Sequence, residues 1–139
     1  FRLPVSGNVT WSAVITGIVE VAMETARAQL EKRAPWRPYE QAEWSQVEVE
    51  AWLIEQAYEG VLHAAEQPGA DTLKGKTAIA ELSESLLQRL CRILGGATYG
   101  RYSPFGFWYE DVRALGFLRP PWGLAFDTIF KSAWPSAAE

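Results

Sequence analysis

The chain has one cysteine, one histidine and one methionine among 139 residues. A lone thiol closes no internal disulfide, and Cys91 with His63 supplies too few ligands for a structural zinc site. A reducing cytoplasm suits that inventory. Charge of one sign is not gathered into blocks: the net charge is −4, the pI about 5.1, and acids and bases are interspersed. This excludes nucleic acid as the expected partner, because phosphates call for a basic stripe. No polybasic anchor is present, no apolar run approaches the roughly 20 residues that span a bilayer, and no signal peptide is visible, so no membrane association is expected. Most catalytic templates are missing too. There is no Gly-x-Ser-x-Gly, no His-Glu-x-x-His, no paired-cysteine motif and no Gly-Lys-Ser phosphate loop.

Apolar residues are plentiful. They make up 48% of the chain against 22% charged, the balance of a folded domain rather than a disordered segment. The length fits one domain over residues 1–139, large enough to hold its own core. The chain opens at Phe1 rather than Met, so a fragment or processed piece is expected. Seven Trp, six Phe and five Tyr are unusually many, and large aromatics gather at contact surfaces. Part of the aromatic tail (Phe107, Trp108, Tyr109, Phe117, Trp122, Phe126, Phe130, Trp134) is therefore expected to face another domain or subunit, with core packing the even alternative.

Apolar spacing of three and four predicts helices throughout. After an extended lead-in over residues 1–9, the first runs from about 10 to 33, capped by Thr10. Its inward face is read as Trp11, Val14, Ile15, Ile18, Val19, Ala22, Ala26 and Leu30, and it stops before Pro35. The second is read from Trp44, Val47, Ala51, Ile54, Tyr58, Val61, Leu62 and Ala65, and ends at Pro68-Gly69. A third opens at Asp71 or Thr72, with Ile79, Leu82, Leu86, Leu90 and Ile93 inward and Glu81, Glu84 and Arg89 outward, and Gly95 terminates it. Ser103-Pro104 starts a short fourth helix carrying Phe105, Trp108, Val112 and Leu115. Beyond Pro120-Pro121, Trp122, Ala125, Phe126, Ile129 and Ala133 make a last one. No strand alternation appears, so the expected class is all-α: an up-down four-helix bundle with an additional short C-terminal helix.

Individual polar residues carry little. Cys91 sits among apolar neighbours and reads as a buried inert thiol. His63 reads as a packed or surface histidine, and Glu43, Glu48, Glu50, Glu55 and Glu59 as a solvated face of the second helix. A di-iron site would need Glu-x-x-His pairs, and Gly60 holds the place three before His63. Gly95 and Gly96 alone read as a helix cap, although a double glycine also lets backbone approach a partner closely.

The stretch from Arg92 to Arg113 says more. Leu94-Gly95-Gly96, Tyr99, Pro104, Asp111 and Arg113 stand, without a gap, where the acyl-CoA dehydrogenase family has a double-glycine pattern, a proline and an Asp-x-Arg-type helix. Arg33-Ala34-Pro35-Trp36 is similar to the family's Arg-x-x-Phe-Gly loop, and the order of helices agrees. The resemblance covers most of the chain, and only residues 92–113 are specific. It implies the last of three domains in an FAD-dependent oxidoreductase acting on an acyl-CoA or related thioester. Subunits would pair through the bundle as a homo- or hetero-oligomer. Gly95 and Gly96 would face the FAD of a neighbouring subunit, and Arg33 would approach its pyrophosphate; a charge at a helix C-terminus is the other role open to Arg33. The family's glutamine is Arg92 here, which can pair with a phosphate, and its third glycine is Thr98. At the place of its catalytic glutamate stands Arg119, which cannot act as a base. The alternative site for a base, near Gly7, holds no acid, and Glu20 lies deeper in the first helix, facing solvent. The isolated chain is thus expected to be inactive. A flavin-dependent monooxygenase of the same architecture, or a non-catalytic assembly module, also fits.

Overall fold

The computed structural model describes residues 7–33, 35–64, 70–118 and 120–137. Three long helices come first: α1 (Gly7–Glu31), α2 (Pro38–Ala64) and α3 (Ala70–Leu94). Two short ones follow, α4 (Phe105–Arg113) and α5 (Trp122–Ala133), with 3-10 turns at Gly96–Tyr99, Ala114–Phe117 and Pro135–Ala137. The architecture is all-helical, and no strand occurs among the described residues. Breakers set the joints, since Pro35 lies in the first connection, Pro104 precedes α4 and Pro121 precedes α5. Pro4, Ala34, Ala65, Pro68, Gly69 and Arg119 lie outside the described residues.

Each long helix spans about 40 Å at 1.5 Å per residue. The cross-links give their directions. Arg27 of α1 reaches Glu48 of α2 at 2.9 Å, Arg89 near the end of α3 reaches Glu43 near the start of α2 at 2.9 Å, and Arg33 just past α1 reaches the Ile93 carbonyl at 2.8 Å. So α2 runs opposite to α1 and α3. All four other helices pack on α3, whereas α2 makes substantial contact with α1 and α3 only. The centre is aliphatic: Leu30, Val47, Ile54, Val61, Ile79, Leu86, Leu87, Leu90 and Ile93 are buried, and Phe105 is the one large aromatic among them. Each such side chain contributes about 1.5–3 kcal/mol when removed from water.

In α1 the core face differs from the expected one. Ile15, Val19, Ala22, Ala26 and Leu30 are buried as predicted, but Trp11 and Val14 are 46% and 45% exposed, and Ser12 and Thr16 are buried instead. The helix also begins three residues before Thr10, which lies inside its first turn rather than capping it. The cause is a second apolar stripe, with Trp11, Val14, Ile18 and Val21 at helical spacing beside the true core face, and periodicity alone does not say which stripe turns inward. Taken as a helix, Val9–Glu31 is long and apolar enough to cross a membrane by length and composition, with mean hydropathy 1.2, which counting unbroken apolar runs did not register. Core helices pass the same test, and six of its residues are in this core.

The acidic face of α2 is only partly solvated. Glu50 is 8% exposed, and its carboxylate accepts a bond from Arg89 Nε at 2.9 Å while Arg89 Nη1 binds Glu43. Arg89 therefore points into the α2–α3 seam rather than outward, because two carboxylates compensate the loss of water around its charge. Glu55 and Glu59 are exposed as expected. Leu62 and Phe126, from which α2 and α5 are read, are 39% and 48% exposed.

Candidate functional site

Helix α3 stops at Gly95, whose backbone takes φ 88° and ψ −163°, a region essentially reserved for glycine. Its N–H still bonds the Cys91 carbonyl at 2.8 Å. The chain then coils over the helix end. The Thr98 backbone N–H and hydroxyl both donate to the Gly95 carbonyl, at 3.1 and 2.9 Å, and pin the turn. Ser103 accepts the Phe105 N–H at 3.4 Å as α4 begins.

Between this turn, the last turns of α3 and the start of α4 lies a cleft of about 640 Å³. Arg92, Gly95 and Gly96 line it, so three of the four residues singled out in the sequence come together. Arg33 does not line it. Its guanidinium donates to the Ile93 carbonyl at 2.8 Å and pairs with Glu40 at 3.1 Å, which is the helix-terminal role, exercised on α3. Arg33 thus stands at the same end of the bundle, bonded to a carbonyl two residues before Gly95, and is already engaged.

The cleft has further walls that sequence reasoning did not name as site residues: Gln88, Cys91, Thr98, Tyr99, Gly106 and Tyr109. Positions 88, 91, 92 and 95 repeat at helical spacing, so Gln88 was available from Arg92 by that rule. Tyr109 comes from α4, and only folding brings it there. No carboxylate lines the cleft. Arg92 is exposed and has no ion pair or hydrogen-bond partner among the described residues. Because the C-terminus of α3 is the negative end of its dipole, an anion bound here must rely on arginine and on the start of α4, where Gly106 lines the wall. Cys91 is half-buried rather than fully buried, and burial pushes its thiol up while a hydrogen bond with Thr98 opposes the shift. It remains a protonated wall residue at neutral pH.

The two glycines differ in kind. Gly95 is required by its own backbone angle. Gly96 has an ordinary angle and is exposed, and a Cβ there would meet nothing within 4 Å, so the chain itself gives no steric reason for glycine.

Elsewhere, His63 is exposed beside Asp71 and Lys74 in a shallow depression. Glu20 is exposed and lines a groove between α1 and α2, not this cleft. The aromatic tail divides. Phe105 is buried, Trp108, Tyr109 and Trp122 are half-buried, and Phe107, Phe117, Phe126, Phe130 and Trp134 are exposed. No protein-family model matches the chain, and no curated protein or solved structure does.

Proposed function

We propose that the chain is the C-terminal helical domain of an FAD-dependent, acyl-CoA dehydrogenase-like oxidoreductase. In this reading α1 to α4 form an up-down four-helix bundle and α5 is the additional C-terminal helix. The end of α3 contributes to a flavin site shared with a neighbouring subunit or domain. The observation that carries the reading is Gly96: an exposed glycine without internal cause, next to an unpaired Arg92, on a cleft with room for part of a nucleotide. Backbone left bare of a Cβ is what a closely approaching ligand requires.

The residues present fit the cofactor's anionic part. Arg92 can bind a phosphate oxygen, and its planar fork suits that geometry. Gly95 and Gly96 offer backbone contact. Arg33 keeps the Ile93 carbonyl occupied, which lessens the negative potential of the helix end. When bound, FAD supplies hydride acceptance; the chain itself brings no base into the cleft. The isolated domain is then inactive, and the acyl-CoA or related substrate is held by the complete oligomer in the cytoplasm. A flavin-dependent monooxygenase of the same architecture is favoured by the absence of a carboxylate from the cleft wall. A purely assembling module is favoured by the exposed Phe126, Phe130 and Trp134.

The test is a titration of the purified chain with FAD, followed by flavin fluorescence anisotropy and by oligomeric mass. Saturable binding is expected, weakened about tenfold or more by Arg92→Glu and by Gly96→Val, since a buried charge-assisted contact contributes about 1.5–3 kcal/mol. Binding that neither variant alters, or none at all in any oligomer, overturns the flavin reading.

A further inference from the structure

We propose that the groove between α1 and α2 docks a cationic amphipathic helix presented by a partner protein. The groove has a volume of about 270 Å³ and an apolar floor made by Val19, Met23, Ala51 and Ile54. That space holds aliphatic side chains of a docking helix while its backbone rides above. Among the described residues nothing covers it: α4 packs on α3 and α1, α5 on α3, and neither makes substantial contact with α2. Trp52, 58% exposed, stands at its edge.

The rim selects the occupant. Helix α2 carries Glu40, Glu43, Glu48, Glu50, Glu55 and Glu59 and has no lysine or arginine. The first four meet Arg33, Arg89 and Arg27, which leaves Glu55 and Glu59 without a cation among the described residues. Across the groove, Glu20 of α1 lines the wall, and it and Glu24 one turn on are also unpaired among the described residues. One end is closed by Arg27, which lies over the Trp44 ring at 5.2 Å and binds Glu48. Two uncompensated carboxylates on the rim, Glu20 and Glu55, with Glu24 and Glu59 one helical turn along from each, repel an identical face of a second copy and an anionic lipid surface alike. A helix with an apolar stripe flanked by Lys or Arg satisfies both the floor and the rim.

Met23 is the only methionine in the chain and lies on the groove floor, so its labelled methyl gives one resonance that reports on this site. The probe is a synthetic helix with leucines at i, i+3, i+4 and i+7, flanked by lysines. We expect it to shift the Met23 methyl saturably, to bind more weakly as salt rises, and to lose about tenfold in affinity against Glu20→Gln/Glu55→Gln, whose sites are exposed and leave the core intact. Trp52→Ser is expected to weaken it as well. Four results overturn the proposal: an unmoved methyl, equal binding of a leucine–glutamate helix, equal binding of a lysine helix with serines for leucines, or a Met23 shift that follows protein concentration without peptide.

Discussion

The α2–α3 pair and the segment from Phe105 to Trp134 use apolar side chains in opposite ways. Along α2 and α3 the buried ones are all aliphatic, and the seam between the helices is closed by the Glu43–Arg89–Glu50 bridge. In α4 and α5 they are largely aromatic, and α5 buries Ala125 alone. Instead of a deep core, α5 has two fastenings. Lys76 of α3 is 2% exposed, and its ammonium donates to the Leu118 and Pro120 carbonyls at 2.7 Å each, which holds the turn into α5. Trp122 then packs against Gly116, where a Cβ would run into the indole. The lesson is that aromatic content does not measure core size. All seven tryptophans are exposed or half-buried, because a wide ring with a polar N–H fits an edge better than a narrow interhelical core.

The sharpest way to break this contrast is Arg89→Met, which leaves Glu50 buried without a cation. Urea unfolding should show a loss of about 2–3 kcal/mol, below the ~3–5 of a fully buried pair, since Arg89 keeps 25% of its side-chain surface in water. Adding Glu43→Gln and Glu50→Gln should recover much of it. A loss no greater than that of the next variant would remove the distinction between the two regions.

Lys76→Met comes second. It keeps the aliphatic stem and orphans two carbonyls, and should cost about 1–2 kcal/mol. Hydrogen exchange should speed up in α5 and leave α2 unchanged; uniform acceleration would mean that α5 is not separately fastened. This site also has a pH signature. Burial lowers the Lys76 pKa below its ordinary 10.5, so the folded state gives up this proton before the unfolded chain does. Its contribution to stability therefore rises with pH across the window between the folded and unfolded values, and Lys76→Met removes that slope.

The smallest effect on stability is expected at the exposed aromatics. Phe126→Ser with Phe130→Ser should change unfolding free energy by less than about 0.5 kcal/mol per site, while a drop in apparent mass on sizing with light scattering would mark this face as the assembly surface. A large destabilisation would mean that these rings are part of the core after all.

Much of this was legible in residues close together in the chain. Ile79, Leu86, Leu90 and Ile93 repeat at three or four and are all buried, with Leu82 half-buried among them. Gly95 ends α3 as its position implied, through a positive φ rather than an ordinary left-handed cap. Arg92, Gly95 and Gly96 share the cleft because they adjoin one another in the chain, whereas Tyr109, read only as part of the aromatic tail, joins them from another helix. Arg89 was misplaced for a related reason: its partners Glu43 and Glu50 lie 46 and 39 residues away, and an arginine without visible partners reads as a surface charge.

The sequence by itself determined five helices and where they break, because periodicity, proline and glycine act over a turn or two of backbone. Only the tertiary structure decided which apolar stripe of α1 faces the core, that Lys76 and Glu50 are buried, and that α3 and α4 share a cleft. Each of those depends on the free energy of a group among neighbours that the chain brings together from far away, and local spacing carries no information about it.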